Sequence, residues 1–379
     1  MSEWRETTIG DVMLLQRGVD ITKSEQRPGT VPVVSSGGIS SYHDTAVSDG
    51  PGVVIGRKGT LGKTFYLYGP YWPHDTTLWV KDFKGNCPRF VYYFMATMNF
   101  LSMDVGSSNP TLNRNHVHPI PIRWPTLSIQ NAIAAVLGAL DDKIAVNERI
   151  AATALDLADA NFGRVEISTR ATLAELVQRG ELAFGDGYRT KKVEHGHPGI
   201  PILRVSDIQH GQICPTPTDF VSVEFRPQMG AKVSQAGDVV LTTKGTVGRV
   251  ALVPDGLSEY VYSPQVCFFR PSSIGAIGSH FIFLWMRSRE FAAQVEPLKG
   301  QTDMADYISL SDIRGLRIGV PEDAQLRQLT ETVRPLLERI EAAQRESLTL
   351  AALRDTLLPK LMSGQITIRE AESLVEEAT

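Results

Sequence analysis

The sequence predicts a mixed α/β chain. Two strand-rich globular units, related by tandem duplication, are separated by two long helices packed as an antiparallel coiled coil. Three observations predict this. The first is a pair of long apolar-striped runs. From Thr126 to about Phe162, residues Ile129, Ile133, Val136, Leu137, Leu140, Ile144, Ile150 and Leu157 recur at spacings of three and four. From about Glu322 to Leu361, residues Leu326, Leu329, Val333, Leu336, Leu337, Ile340, Leu350, Leu353 and Leu357 do the same. That is helical periodicity sustained beyond an ordinary globular helix, and two apolar seams in one chain pair most simply with each other. The second is a shared motif. Val239 to Val250 aligns with Val53 to Thr64 at an offset of 186, around the common core Lys-Gly-Thr-aliphatic-Gly-basic. The third is a matching register: at an offset of 196, Pro321 matches Pro125, Leu336 matches Leu140 and Ile340 matches Ile144. The resulting order is a globular unit over 1–125, a helix over 126–164, a second globular unit over 165–321, and a helix with its tail over 322–379.

Within the first unit, residues 4–12 read as a short lead-in to a turn and helix. The clusters Ser35-Ser36-Gly37-Gly38 and Asp49-Gly50-Pro51-Gly52 are turn signals. Gly52 to Gly56 reads as a short buried strand, Thr64 to Tyr68 as a second and Leu78-Trp79-Val80 as a third. Arg89 to Leu101 has helical spacing, with Phe90, Tyr93, Phe94 and Met98 on one side. Residues 107–115 read as a polar loop. Pro119-Ile120-Pro121-Ile122 reads as an edge strand, because proline cannot donate within a central one, and Trp124-Pro125 is expected to open the first long helix. The second unit repeats this order. The acidic stretch after Gly364 is expected to be a short helix or a frayed tail.

Composition narrows the class. The charged and apolar fractions, 21% and 42%, are those of a soluble globular protein. No apolar run approaches the length of a membrane span, and the N-terminus lacks a secretory pattern. The three isolated cysteines, Cys87, Cys214 and Cys267, fit a reducing cytoplasm better than a disulfide framework. The net charge of −4 is unevenly spread: segments 126–164 and 322–379 carry −2 and −4, while the two globular stretches together carry +2. The acidity of the helices fits protein partners better than DNA.

Gly56-x5-Gly62-Lys63-Thr64 comes near a phosphate-binding P-loop, but the spacing is one residue too long, a strand is expected to follow, and the second copy reads Gly248-Arg249-Val250. The better reading is a glycine-flanked turn between strands that presents basic side chains to a phosphate backbone, with Lys58, Thr60, Lys63, Lys244, Thr246 and Arg249 as the candidates. Asn109, Asn113 and Arg114 in the polar loop, with Gln301 and Tyr307 in its counterpart, are candidates for contact with base edges. His116-x-His118 and His195-x-His197 are read as loop histidines, since no cysteine or carboxylate cluster completes a metal site. Neither a nucleophile elbow nor a base-methyltransferase motif is present, so the residues give no reason to expect an enzyme.

These residues together resemble a known family. The duplicated order of units and helices, Leu140-Asp141-Asp142-Lys143-Ile144-x-x-Asn147, Leu357-Leu358-Pro359-Lys360-Leu361-Met362-Ser363-Gly364, Lys244-Gly245-Thr246-Val247-Gly248 and Gly69-Pro70-Tyr71-Trp72-Pro73-His74-Asp75 are similar to the DNA-specificity subunit of type I restriction–modification systems. The resemblance covers essentially the whole chain. It implies a cytoplasmic, non-catalytic adaptor whose two target-recognition domains each bind half of a split double-stranded DNA target. It also implies that the helices, marked by Leu140, Ile144, Leu336 and Ile340, dock two methyltransferase subunits, and that restriction or translocase subunits can join. No cofactor is expected in this chain; S-adenosylmethionine is expected in the methyltransferase partner. Two other readings stay open from the residues alone: a DNA-independent scaffold whose two domains bind proteins, and an enzyme using the near-P-loop.

Overall fold

A computed structural model describes residues 4–100, 111–209, 211–215, 217–273, 277–301 and 306–378. The two apolar runs form helices Leu127–Phe162 and Asp323–Ser363. The chain divides into two compact units, the first made of Met1–Asn147 with Arg345–Thr379 and the second of Glu148–Gln344. The cut therefore falls inside both long helices, and each unit holds part of each helix.

In the first unit a four-stranded antiparallel sheet has the order Leu14–Arg17, Thr77–Asp82, Gly52–Gly56, Thr64–Leu67. A three-stranded sheet has the order Gly38–His43, Val31–Ser35, Trp72–Pro73, with the last strand parallel to its neighbour. A two-stranded ribbon pairs Trp4–Thr8 with Pro121–Pro125. The second unit repeats all three: Leu182–Asp186, Val266–Pro271, Val239–Thr242, Val250–Leu252; then Phe220–Ser222, Gly199–Leu203, Val261–Tyr262; then Thr169–Thr172 with Arg317–Val320. Here too the last strand of the three-stranded sheet runs parallel, Ile202 facing Val261. This matching topology is the structural form of the duplication.

The Gly52–Gly56 strand is buried along its whole length because it has partners on both edges and both faces. Side chains alternate across a strand, so Val53 and Ile55 join the core beneath the helices while Val54 joins a smaller core with Val34, Tyr71 and Trp79. In the second unit Val239 and Leu241 take the first role, and Val240 takes the second beside Leu203 and Tyr262.

Within the first unit, Ile133, Leu137 and Leu140 of the first long helix share a core with Leu350, Leu357 and Leu361 of the second. Within the second unit, Ala151, Ala154, Leu155 and Ala158 share one with Leu326, Leu329, Val333, Leu337 and Ile340. Early residues of one helix meet late residues of the other in both units, which is antiparallel pairing. Several expectations are corrected. Leu157 is 50% exposed, and three alanines take the seam it was expected to fill. Trp124 and Pro125 end a strand rather than open the helix; the Trp124 ring lies edge-on to Phe90 and Phe94. The polar loop is partly a helical turn, Arg114–Val117, capped by Asn113. The acidic tail, by contrast, takes the helical one of its two expected forms, Ile368–Ala378, and its Ala371 is fully buried in the first unit's core.

Candidate nucleic-acid interface

The repeated motif folds into the same turn twice. In the first unit the Gly56 N–H donates to the Lys63 carbonyl at 2.8 Å, and the Gly62 N–H to the Gly56 carbonyl at 2.9 Å. In the second, the Thr242 N–H donates to the Arg249 carbonyl at 2.9 Å, and the Gly248 N–H to the Thr242 carbonyl at 3.0 Å. Gly62 and Gly248 have φ of 75° and 98°, a left-handed conformation that glycine enters without steric cost. One position differs. A Cβ on Gly56 would lie 2.0 Å from the Thr60 carbonyl oxygen. At the matching position Thr242 carries a side chain, and its hydroxyl donates to the Thr246 carbonyl at 2.5 Å. A strand, not a helix, follows Lys63, so the near-P-loop lacks the helix N-terminus that would face a phosphate.

Each turn is joined to a second segment far away in sequence. The Leu112 N–H donates to the Arg57 carbonyl at 3.0 Å, and the Ile308 N–H to the Thr243 carbonyl at 2.9 Å. Lys58 bridges Thr111, and Lys244 pairs with Tyr307. The basic turn and the polar segment, predicted separately, thus lie side by side in both units. Lys58, Thr60, Lys244 and Thr246 are exposed, and neither lysine has an ion pair among the described residues. Tyr307 is 38% exposed, and its ring lies where a side chain on Gly300 would stand, 2.7 Å from that Cβ position.

The other candidates are placed differently. Lys63 Nζ donates to the Gly37 carbonyl at 3.3 Å and sits 5.3 Å from the Phe65 ring. Arg249 is half-buried, and its guanidinium donates to the carbonyls of Val205 and Ile208, both at 3.3 Å. Both side chains tie the turn to the loop beside it, a role that motif reading did not separate from phosphate contact. Asn113 accepts from the Asn115 N–H at 3.0 Å as a helix cap, while Arg114 is exposed beside it. Gln301 is placed in a short strand opposite Asp306. Asn109 lies outside the described residues. Leu140 and Ile340 are buried at 2% and 6% exposure, and Ile144 and Leu336 pack against the same cores. Leu140 and Ile144 thus pack within the core of the first unit, and Leu336 and Ile340 within that of the second.

Sequence reading missed a charged cluster in the first unit. Arg17 pairs with Asp75 at 2.7 Å, and Arg57 donates to the Asp75 carbonyl at 3.2 Å. Burial and the adjacent Arg17 lower the Arg57 pKa from its ordinary value. Asp20, His74 and Asp75 are close enough to suit a metal ion, but Asp75 is neutralised by Arg17, so the group reads as an ion-pair network.

Three comparisons with known proteins converge. Residues 1–154 match the family model of the type I restriction modification DNA specificity domain. The type I restriction enzyme MjaIX specificity subunit of Methanocaldococcus jannaschii is 26% identical over 316 residues, 76% of this chain and 71% of that one. The crystal structure of a type I restriction–modification S subunit from M. genitalium matches 94% of this chain and 96% of its own, with a TM-score of 0.60 and 15% identity. Residues 1–154 are therefore similar to the type I restriction modification DNA specificity domain, and the fold of the chain is similar to that of a solved type I restriction–modification S subunit.

Proposed function

We propose that this chain is the non-catalytic DNA-reading subunit of a methyltransferase complex, and that each unit reads one half of a split double-stranded target. The observation that carries this reading is the repeated surface: Lys58 beside Thr111, and Lys244 beside Tyr307, on the same hydrogen-bonded frame with different neighbours. The shared lysine suits the phosphate backbone, which is the same at every site. The differing neighbour, threonine in one unit and tyrosine in the other, suits different bases. Thr60, Thr246 and Arg114 extend this surface. Lys63 and Arg249 support it, the first through the Gly37 carbonyl and the second through those of Val205 and Ile208.

In this reading two methyltransferase subunits, which bind S-adenosylmethionine, dock on the outer faces of the long helices, and restriction or translocase subunits add to that assembly. The chain itself binds no cofactor. Its globular stretches are close to neutral, so much of the phosphate neutralisation comes from the partners. The two continuous helices set the unspecified spacer between half-sites, and lengthening both by a matched turn changes that spacer.

The test is co-expression with the methyltransferase encoded at the same locus, followed by mapping of methylated adenines across the genome. A split motif with a fixed spacer, absent when this chain is omitted, is the expected result. A stable complex without chain-dependent methylation would leave a silent adaptor. Absence of any complex, with no retention on DNA, would return the chain to the scaffold reading.

A further inference from the structure

The second unit carries a basic loop that its counterpart lacks. Residues 187–199 leave the four-stranded sheet after Leu182–Asp186 and return as the Gly199–Leu203 strand. They hold Arg189, Lys191 and Lys192 against a single acid, Glu194. The three cationic side chains are exposed and have no ion pair among the described residues, and Val193 between them and Glu194 is 80% exposed. Glu194 does not answer them. It is 3% exposed, and its carboxylate accepts the Lys191 backbone N–H at 2.9 Å.

The equivalent loop of the first unit, residues 18–29, has the same frame and a different charge. Thr22 N–H donates to Glu25 at 2.8 Å, as Lys191 N–H does to Glu194. A Cβ on Gly18 would lie 2.0 Å from the His74 carbonyl oxygen, and one on Gly187 would lie 2.0 Å from that of Ser263. Yet residues 18–29 hold two acids, Asp20 and Glu25, against Lys23 and Arg27, and Arg27 is already bonded to Asp44 at 2.6 and 2.9 Å. One loop is balanced; the other carries a surplus of two positive charges in a chain whose net charge is −4.

The basic loop also starts at the edge that carries Lys244. Gly187 abuts the Ser263 carbonyl, and the Tyr188 N–H donates to the Tyr262 carbonyl at 2.7 Å. Two residues beyond Ser263, the Gln265 carbonyl accepts the Thr243 N–H at 2.8 Å, just before Lys244. The loop and the lysine turn are therefore anchored to one short segment.

We propose that Arg189, Lys191 and Lys192 form a second phosphate-binding element in the second unit, which grips the duplex backbone without reading bases. The assignment rests on the DNA-binding reading above. Residues 18–29 balance two cations with two acids, and Arg27 is held by Asp44; residues 187–199 set three exposed cations against one buried acid. The consequence is asymmetry, with the second unit holding DNA more tightly and with a steeper salt dependence than the first.

The test measures binding of a labelled duplex of arbitrary sequence, and of one bearing the mapped target, across a salt series. The full chain is used, alone and in its purified complex. Each lost phosphate contact removes about 0.9 from the slope of log affinity against log salt, so R189Q/K191Q/K192Q is expected to flatten that slope by about 2–3. Affinity should fall by the same factor on both duplexes, with the methylated motif unchanged. K23Q, in the balanced loop, should leave the slope unchanged. All the altered side chains are exposed, so an unchanged melting temperature excludes misfolding. Wild-type binding with an unaltered slope in the triple variant would overturn the proposal. So would an unaltered slope with loss of a protein subunit from the complex, which would make the loop a docking face for an acidic protein. If the wild-type chain and complex bind neither duplex, the DNA-reading function itself fails and this element falls with it.

Discussion

Gly56 and Thr242 occupy the same place in two copies of one turn, and they show how a single Cβ decides a local design. The Thr60 carbonyl fills the space that a side chain on Gly56 would need. G56A is therefore expected to displace the Lys58 turn and cost about 1–3 kcal/mol, as overpacking does, read as a lower denaturation midpoint with weakened DNA retention. His118 gives a residue-scale prediction about pH. Its Nε2 accepts the Leu15 N–H at 3.0 Å, which requires the neutral ring. Burial, and then Arg114 and Lys84, lower its pKa below 6.5. The unfolded chain thus binds the proton more readily than the folded one. This contribution is complete above about pH 6.5 and is lost as pH falls below it through the folded pKa. Stability of the wild type should rise with pH across that window more steeply than that of H118Q. Neither feature could be read from the sequence, because each depends on an atom that only folding brings near. The lysines could be read, since they repeat; that Lys63 and Arg249 bond to carbonyls could not, because a basic side chain looks the same in sequence whether it faces solvent or a neighbouring loop.

The helices were the most legible elements, because hardly any arrangement but a helix gathers leucines and isoleucines at spacings of three and four onto one face. Their alanine face was not legible: Ala151, Ala154 and Ala158 carry little hydropathy signal and are identified only by what they touch. The motif Leu140-Asp141-Asp142 gains a structural account. Asp141 accepts from Arg354 at 2.7 Å and from Tyr93 at 2.5 Å, joining the two helices and the globular part of one unit. Asp142 accepts both nitrogens of Arg89 at 2.9 and 2.8 Å, and this guanidinium holds its carboxyl below the usual range. Farther along, Asn147 is 1% exposed, and its amide donates to Glu346 of the other helix at 2.8 Å while its own oxygen has no partner. A buried asparagine in a helix seam fixes register at a cost in stability. N147L is expected to leave the melting temperature equal or higher, and to spread the methylated motif over more than one spacer length. A single unchanged spacer would show that register is set elsewhere. In the second unit, Asp238 is fully buried and held by Arg270 through two bonds of 2.6 Å and by Tyr262 at 2.6 Å. D238A would strand the guanidinium and should destabilise this unit by about 3–5 kcal/mol in a denaturation series.

For the molecule as a whole, the order of units was legible because duplication writes the same order twice. The division into compact units was not, because a cut that falls inside a continuous helix leaves no break in composition. Residues 345–378 complete the first unit, with Leu350, Leu357, Leu361 and Ala371 in its core beside Ile9 and Phe90. Removing everything after Gly364 takes away Ile368, Ala371 and Val375 and should expose that core. Proteolysis should then cut first within residues 1–147 and spare 148–344.

The second unit is one unbroken stretch of chain, whereas the first is closed by residues from both ends. On the ribosome, the part made first is therefore the part finished last. The segment 148–344 has all its own residues once residue 344 has emerged, while the leading unit waits for the closing turns of the last long helix. A transcript cut short, or a stalled ribosome, yields a folded second half attached to an unfinished first half. A product stopped before residue 345 can therefore hold only the second unit complete, however long its leading segment.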